Sequence, residues 1–121
     1  MKTIPAMSVS EIERAAKVLR ALGHPLRLRV MQDLLAGERG VTEMVRRFGT
    51  SPSMMSQQLS LLEAQGLIRT RKVGAAKFCA MRNPDFANLF TCLKHHLELC
   101  FRLDDDSQPA SGQRRRNPGR K

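Results

Sequence analysis

Apolar residues recur every three or four positions along the first half of the chain, which is the spacing of one face of an α-helix. This pattern predicts a first helix over about 11–22. Ser8 and Ser10 precede it, each three residues before a glutamate, as in a capping box. Pro25 suits the first turn of a new helix, so a second helix is predicted from there to the glycine-containing segment 37–40.

A third and a fourth helix are predicted on either side of a short turn. Residues 41–48 carry the apolar stripe of the third helix, and Gly49 stops it. Ser51 as the N-cap and Pro52 at the first helical position start the fourth helix, which Gly66 ends. The residues predicted to be buried along the fourth helix are Met55, Leu59 and Leu62.

After Gly66 the pattern changes to that of β-strands. Residues 67–73 and 77–82 are predicted to form a two-stranded hairpin around a turn at 74–76, and we call this hairpin the wing. A last helix is predicted over about 85–101. The expected fold class is therefore mainly α with a small β-hairpin wing, and its third and fourth helices form a helix-turn-helix.

The chain is strongly basic, and this changes the functional interpretation. Among its 121 residues are 21 Lys and Arg against 11 Asp and Glu, a formal net charge of +10. We expect residues 1–9 to be an N-terminal arm, 10–103 a folded domain and 104–121 a disordered charged tail without large apolar side chains. Without that tail, 16 basic and eight acidic residues remain, so the folded domain itself should attract a polyanion such as nucleic acid.

The outward face of the fourth helix carries hydroxyl and amide groups, which can bond base edges and phosphates. A solvated polar face would explain this helix alone, but six cations on the third helix and the wing favour DNA. The low aromatic content, 4%, argues against stacking of single-stranded bases. The predicted DNA-binding residues are Thr50, Ser51, Ser53, Met54, Ser56, Gln57, Gln58 and Ser60, with Arg46, Arg47, Arg69, Arg71, Lys72 and Lys77. Backbone amides of Thr50 and Ser51 are expected to face a phosphate.

Three segments together resemble the ArsR/SmtB winged-helix repressors. Residues 23–30 are similar to the His-Pro segment of that family, 51–62 to its recognition helix and 66–68 to the start of its wing, with Gln58 where the family usually has histidine. The resemblance implies a homodimer joined mainly through the first and last helices. It also implies a repressor that occupies double-stranded operator DNA until an effector, often a metal ion or a thiol reagent, releases it.

Cys92, His96 and Cys100 are spaced four residues apart and share one stripe of the last helix. Thiolates and an imidazole suit Zn, and two or three thiolates suit As(III). Residues eight apart lie about 12 Å apart along a helix, so ligands from Cys79 or a partner chain would have to complete such a site. The alternative is that the thiols only pack at the dimer seam, with no cofactor.

The ligand sets known from the resembling family are incomplete in this chain. Residues 41–49 contain no cysteine, Asp85 is not followed by histidine two positions later, and no thiol lies near Gln32. The sequence therefore leaves the inducer open among a metal ion, a metalloid and a thiol-reactive species.

Other classes of protein fit the sequence less well. The chain has no apolar run of membrane-spanning length and no secretory h-region, and its three cysteines lack disulfide-framework spacing, so we expect a cytoplasmic protein. Paired carboxylates, a glycine-rich phosphate loop and a nucleophile elbow are all missing, so an enzyme is not expected. The remaining alternative is a constitutive architectural protein of the same fold that binds DNA or RNA without an effector.

Overall fold

The computed structural model of the chain describes residues 5–101. The predicted arm 1–9 falls only partly within this range, and the predicted tail 104–121 lies outside it. The described residues fall into two compact units, 5–84 and 85–101.

The described residues form the helices and strands in the predicted order, with one strand added. The elements are α1 (Val9–Leu22), α2 (Pro25–Leu34), β1 (Arg39–Gly40), α3 (Val41–Phe48), α4 (Pro52–Ala64), β2 (Ile68–Val73), β3 (Ala76–Met81) and α5 (Phe86–Phe101). The first helix begins two residues earlier than predicted, within the expected arm. Ser8 is its N-cap: the hydroxyl accepts a 3.1 Å bond from the Glu11 amide, and the Glu11 carboxylate accepts a 2.9 Å bond from the Ser8 amide.

The core of the first unit lies between α2, α3, α4 and the sheet. The predicted buried stripe of α4 is confirmed, since its three apolar residues are almost completely shielded from solvent. Helix α4 packs against both α3 and β2, and Met44 of α3 and Ile68 of β2 are buried as well. The largest fully buried side chains are Met31, Met44, Met55, Leu59, Leu62, Leu67, Ile68, Val30 and Cys79.

The sheet has three antiparallel strands in the order β1-β3-β2, not the two strands predicted. The prediction that residues 37–40 only end the second helix was wrong, because Arg39 pairs with Cys79 and Gly40 with Phe78. Two residues are too few to show the alternation that marks a strand in a sequence. This short strand joins the start of α3 directly to the base of the wing.

The turn between α3 and α4 forms as the sequence predicted. Gly49 has φ of +66°, a left-handed conformation that side chains with a Cβ rarely adopt. Its amide and that of Thr50 donate to carbonyls of the last turn of α3, at 3.3 Å to Arg46 and 3.2 Å to Val45. Ser51 then caps α4, and its hydroxyl accepts a 3.1 Å bond from the Met54 amide.

The second described unit consists mainly of α5. Its 16 residues include no buried side chain, although the sequence predicted an apolar stripe along it. Leu93 and Leu97 of that stripe are exposed. No helix in residues 5–101 is both long and apolar enough to cross a membrane.

Candidate nucleic-acid interface

One face of α4 presents a continuous row of uncharged polar groups to solvent. Pro52 at the first helical position and the Ser51 cap set the start of the helix, and the buried stripe on its opposite side sets its rotation. The exposed face consists of Ser51, Ser53, Met54, Ser56, Gln57 and Ser60, and these residues line one shallow, open groove. The five residues that the sequence placed on the outward face, Ser53, Met54, Ser56, Gln57 and Ser60, all line this groove, and Ser51 joins them.

The backbone at the turn is less available than the sequence predicted. The Thr50 amide already donates to the Val45 carbonyl, and Thr50 is only half-exposed. The expectation that this amide faces a phosphate is therefore wrong, because the hydrogen bond that closes α3 uses its proton.

Gln58 does not belong to the exposed face, and its predicted contact with DNA bases is contradicted. Its side chain is 7% exposed, and its Oε1 accepts a 2.5 Å bond from Nη1 of Arg27. Its Nε2 donates to the Met54 sulfur at 3.3 Å, while Nε of Arg27 donates to the Ala21 carbonyl. The residue thus joins α4 to the end of α1 and the start of α2. Because an α-helix turns by about 100° per residue, Gln58 lies just outside the polar face to which Gln57 belongs.

The two arginines that end α3 differ in their partners. Arg46 is exposed and forms no ion pair with a described residue. Arg47 donates two bonds to the Asp33 carboxylate, at 3.1 and 2.9 Å, and lies 5.9 Å from the centre of the Phe48 ring. Both charges suit the carbonyl end of a helix, but only that of Arg46 is without a carboxylate partner in the described chain.

The cations of the wing likewise differ in whether a carboxylate pairs with them. Arg71 donates two bonds, at 2.7 and 2.8 Å, to Glu38, and its guanidinium lies 5.1 Å from the centre of the Phe78 ring. This pairing lowers the pKa of the Glu38 carboxyl and raises that of the guanidinium. Arg69, Lys72 and Lys77 form no ion pair within residues 5–101. Three of the four wing cations therefore retain an unneutralised charge.

The predicted sensor residues are exposed but do not form one cluster. Sγ of Cys100 lies 3.5 Å from Nδ1 of His96, whereas Cys92 joins neither of them. Among residues 5–101, no group of three His, Cys, Asp or Glu side chains is close enough to hold a metal ion. Two donors from one chain are too few for a zinc or arsenic site. Cys79, expected to pack, is buried in the sheet as predicted.

Several residues that organise this surface were missed from the sequence. Arg27 holds Gln58, Glu38 holds Arg71, and Asp33 holds Arg47. Their partners lie 14 to 33 positions away along the chain, and no local pattern relates residues at such distances.

Comparison with known proteins agrees with this geometry. Residues 22–71 match the model of a helix-turn-helix domain family. A transcriptional repressor SmtB homolog of Synechocystis is 30% identical over 92 residues, which cover 76% of this chain and 70% of that protein. A biofilm growth-associated repressor of Xylella fastidiosa is 34% identical over 74 residues, 58% of this chain and 65% of that repressor, so the match spans just under two thirds of it. A further relative, from Vibrio cholerae, is named a transcriptional activator; it is 31% identical over 80% of this chain and 87% of its own length.

The fold also matches a solved structure, that of the homodimeric winged helix-turn-helix DNA-binding domain of a possible ArsR-family regulator from Mycobacterium bovis. The TM-score is 0.67 at 26% identity, covering 81% of this chain and 97% of that one. The predicted fold class is thereby confirmed, and the related proteins are named as regulators of transcription, as predicted, not as enzymes. Together with the polar face of α4 and the basic wing, these matches show that the chain belongs to the ArsR/SmtB family of winged helix-turn-helix transcriptional regulators.

Proposed function

We propose that this chain is a repressor that binds a specific operator in double-stranded DNA as a homodimer. The observation that carries the proposal is the exposed face of α4, where hydroxyl and amide groups line an open groove. On that helix no carboxylate precedes Glu63, so nothing on the first three turns repels the phosphate backbone. The major groove of B-DNA is wide enough to admit an α-helix, and amides and hydroxyls on that helix can distinguish base pairs there.

The contacts are proposed to divide by chemistry. Ser53, Ser56, Gln57 and Ser60 face base edges or nearby phosphates, with Met54 available for apolar contact with a thymine methyl. Arg69, Lys72 and Lys77 of the wing and Arg46 of α3 neutralise flanking phosphates and displace counterions, so affinity should fall steeply as salt rises. Gln58 is excluded from the base-reading set because it is buried.

A homodimer is proposed because the isolated chain leaves apolar surface on α1 uncovered. Val9, Ile12 and Leu19 are 73%, 55% and 57% exposed. Contiguous apolar surface of this kind marks an interface more often than free solvent. The homodimeric Mycobacterium bovis domain supports the same assembly. Two-fold symmetry then predicts an imperfect palindrome with half-sites about one helical turn, or roughly 34 Å, apart.

Repression follows if the dimer occupies a promoter. Of the three relatives described above, two are named repressors and one an activator, so the direction of regulation is part of the proposal. Such a regulator acts where the chromosome is, in the cytoplasm. A promoter–reporter strain lacking this protein should show increased transcription of the target, whereas decreased transcription would identify an activator.

The primary test is a titration of the purified protein against its own promoter and against random duplex of equal length and salt. We expect a preference for the promoter of at least about 10³-fold, the lower end for specific DNA-binding proteins. Gln57→Ala should reduce that preference, while Arg14→Gln on α1 serves as the control that removes an exposed charge elsewhere. Equal affinity for both duplexes would support the constitutive architectural alternative, and tighter binding to RNA would contradict a DNA repressor.

We further propose that an effector releases the protein from DNA and that it acts at His96 and Cys100. A metal ion needs more donors than the described chain brings together, whereas a thiol-reactive species needs one accessible thiol. The promoter titration should therefore be repeated with an oxidant, a persulfide, Zn and As(III) on the wild type, Cys100→Ser and Cys92→Ser. Loss of affinity abolished by Cys100→Ser supports the assignment, and a response that persists in both variants contradicts it.

A further inference from the structure

A cleft beside α2 and α3 is strongly basic and has no role in the function proposed above. It encloses about 320 Å³ and lies on the first unit. Its polar and aromatic lining consists of Arg29, Gln32, Asp33, Arg39, Arg47 and Phe48. Three guanidinium groups therefore face one carboxylate, which leaves two positive charges in surplus.

The carboxylate is already satisfied by one of the three arginines. Asp33 is 8% exposed at its side chain and accepts bonds of 3.1 and 2.9 Å from Arg47, one to each oxygen. Such a bidentate pair fixes the orientation of both the Arg47 guanidinium and the Asp33 carboxylate. Arg39 can therefore add only a longer contact, 3.6 Å from its Nε to the same carboxylate.

Neither of the other two arginines has a close carboxylate partner of its own, since Arg39 only shares Asp33 at 3.6 Å. Nε of Arg39 is buried and has no hydrogen-bond partner among residues 5–101, although buried donors are normally paired. Arg29 lies over the Phe48 ring, 4.5 Å from its centre, and forms no ion pair within the described chain. Stacking orients the guanidinium in advance and lowers the cost of ordering it around a ligand.

We propose that Arg29, Arg39 and Arg47 form a binding site for a phosphate-type oxyanion. A doubly charged, multiply accepting oxyanion would offset the two surplus charges, and its oxygens would accept from the forked guanidinium groups. The Gln32 amide offers a further donor.

Two sources of that chemistry fit the position of the cleft. One is a free oxyanion such as inorganic phosphate. The other is a backbone phosphate of bound DNA, because Arg47 and Phe48 directly precede the turn that leads into α4. Only this second source depends on the function proposed above.

The experiment has one arm without DNA and one with it. In the first, Tm is followed while inorganic phosphate replaces chloride at constant ionic strength, for the wild type, Arg29→Gln and the control Arg14→Gln on α1. Phosphate stabilises many proteins unspecifically, and the control variant reports that background. In the second arm, the slope of log affinity against log salt is measured on random duplex, which requires no operator preference.

A saturable rise in Tm that Arg29→Gln loses and Arg14→Gln keeps supports a free-oxyanion site. No such rise, with a salt slope lowered by about one in Arg29→Gln alone, supports a DNA phosphate as the ligand. Arg29→Lys keeps the charge without the fork and should recover only part of either effect. If Arg29→Gln and Arg14→Gln behave alike in both arms, the site does not exist. Failure of the repressor proposal would instead appear as equal affinity of the wild type for promoter and random duplex.

Discussion

Adjacent glutamines on α4 occupy opposite environments. Gln57 is exposed in the groove of the polar face, whereas Gln58 is buried against Arg27. Their chemistry is identical, so the difference arises from a rotation of about 100° per residue around the helix. In the proposed complex only Gln57 can contact DNA, whereas Gln58 fixes the position of α4.

We expect substitutions at these two positions to separate binding from stability. Gln58→Ala leaves Nη1 of Arg27 without its acceptor in a partly buried setting and should lower the free energy of unfolding by about 1–3 kcal/mol. Gln57→Ala should change it by less than about 0.5 kcal/mol but reduce discrimination at one base pair by about 1–3 kcal/mol. Urea unfolding and binding to single-base operator variants measure the two effects. If Gln57→Ala lowered stability and Gln58→Ala lowered base discrimination instead, α4 would have to be rotated about its axis.

The cysteines also differ in burial, and we expect them to differ in their reactivity towards alkylating reagents. Burial raises the pKa of the Cys79 thiol to about 12, while Cys92 and Cys100 are exposed. Since the thiolate is the nucleophile, Cys79 should resist alkylation at pH 8 until the protein unfolds. Mass spectrometry of peptides labelled in the native and denatured states tests this, and labelling of Cys79 in the native protein would contradict its burial.

The same burial makes stability depend on alkaline pH. An unfolded Cys79 thiol ionises from about pH 9, whereas the folded thiol stays protonated to about 12, so the free energy of unfolding should fall across this window. Cys79→Val keeps the volume without the ionisable group and should remove that part of the slope.

At the scale of elements, the wing depends on contacts outside its own hairpin. Strand β1 pairs with β3, and Glu38, just before β1, holds Arg71 of β2. These contacts attach the wing to the loop between α2 and α3. A two-stranded hairpin alone is marginal in water, so these attachments define where its cations lie.

The two exposed wing arginines should consequently differ in function. Arg69→Gln removes a charge that no described carboxylate neutralises, so it should weaken binding to any duplex and lower the salt slope by about one. Arg71→Gln removes a charge that Glu38 already neutralises, so its direct effect on the slope should be smaller. Fluorescence anisotropy at four salt concentrations measures both slopes. Glu38→Gln, which frees Arg71, should raise the slope; equal effects of the two arginine variants would show that the ion pair does not alter DNA contact.

For the whole molecule, the assembly state depends on what covers the exposed apolar residues of α1. Its exposed apolar residues lie on one side of the helix, at positions three and seven apart. If a second copy covers them, assembly and DNA binding are linked, because a dimer contacts both half-sites in one binding event and a monomer contacts only one.

Ile12→Glu should therefore produce monomers and weaken operator binding by more than tenfold, since burying a charge in an apolar interface is costly. Lys17→Gln, on the same helix, also lowers the net charge by one but elsewhere on the helix surface, and it is the control. Sedimentation velocity gives the assembly state and gel shift the affinity. A variant that remains dimeric, or a monomeric variant with undiminished affinity, would contradict the proposed interface.

Local patterns were sufficient for much of this protein. The capping box at Ser8, Gly49 between α3 and α4, and the three-residue stripe of α4 act within a few positions along the chain. Their physical causes are satisfied helix ends, a left-handed turn residue and helical periodicity, and all three can be read from neighbouring residues. The order of the helices, the helix-turn-helix and the exposed polar row follow from these local causes alone.

Only the tertiary structure decided which polar groups are free. Helical periodicity turns Gln58 away from the polar face, but its partner Arg27 lies 31 positions away along the chain. Arg71 has the same appearance in the sequence as Arg69, but Glu38, which is 33 positions away, pairs with it. The short β1 strand and the cluster of arginines around Asp33 arise in the same way. A hydrogen bond or ion pair depends on distance in space, and chain neighbours do not determine that distance for residues brought together by folding.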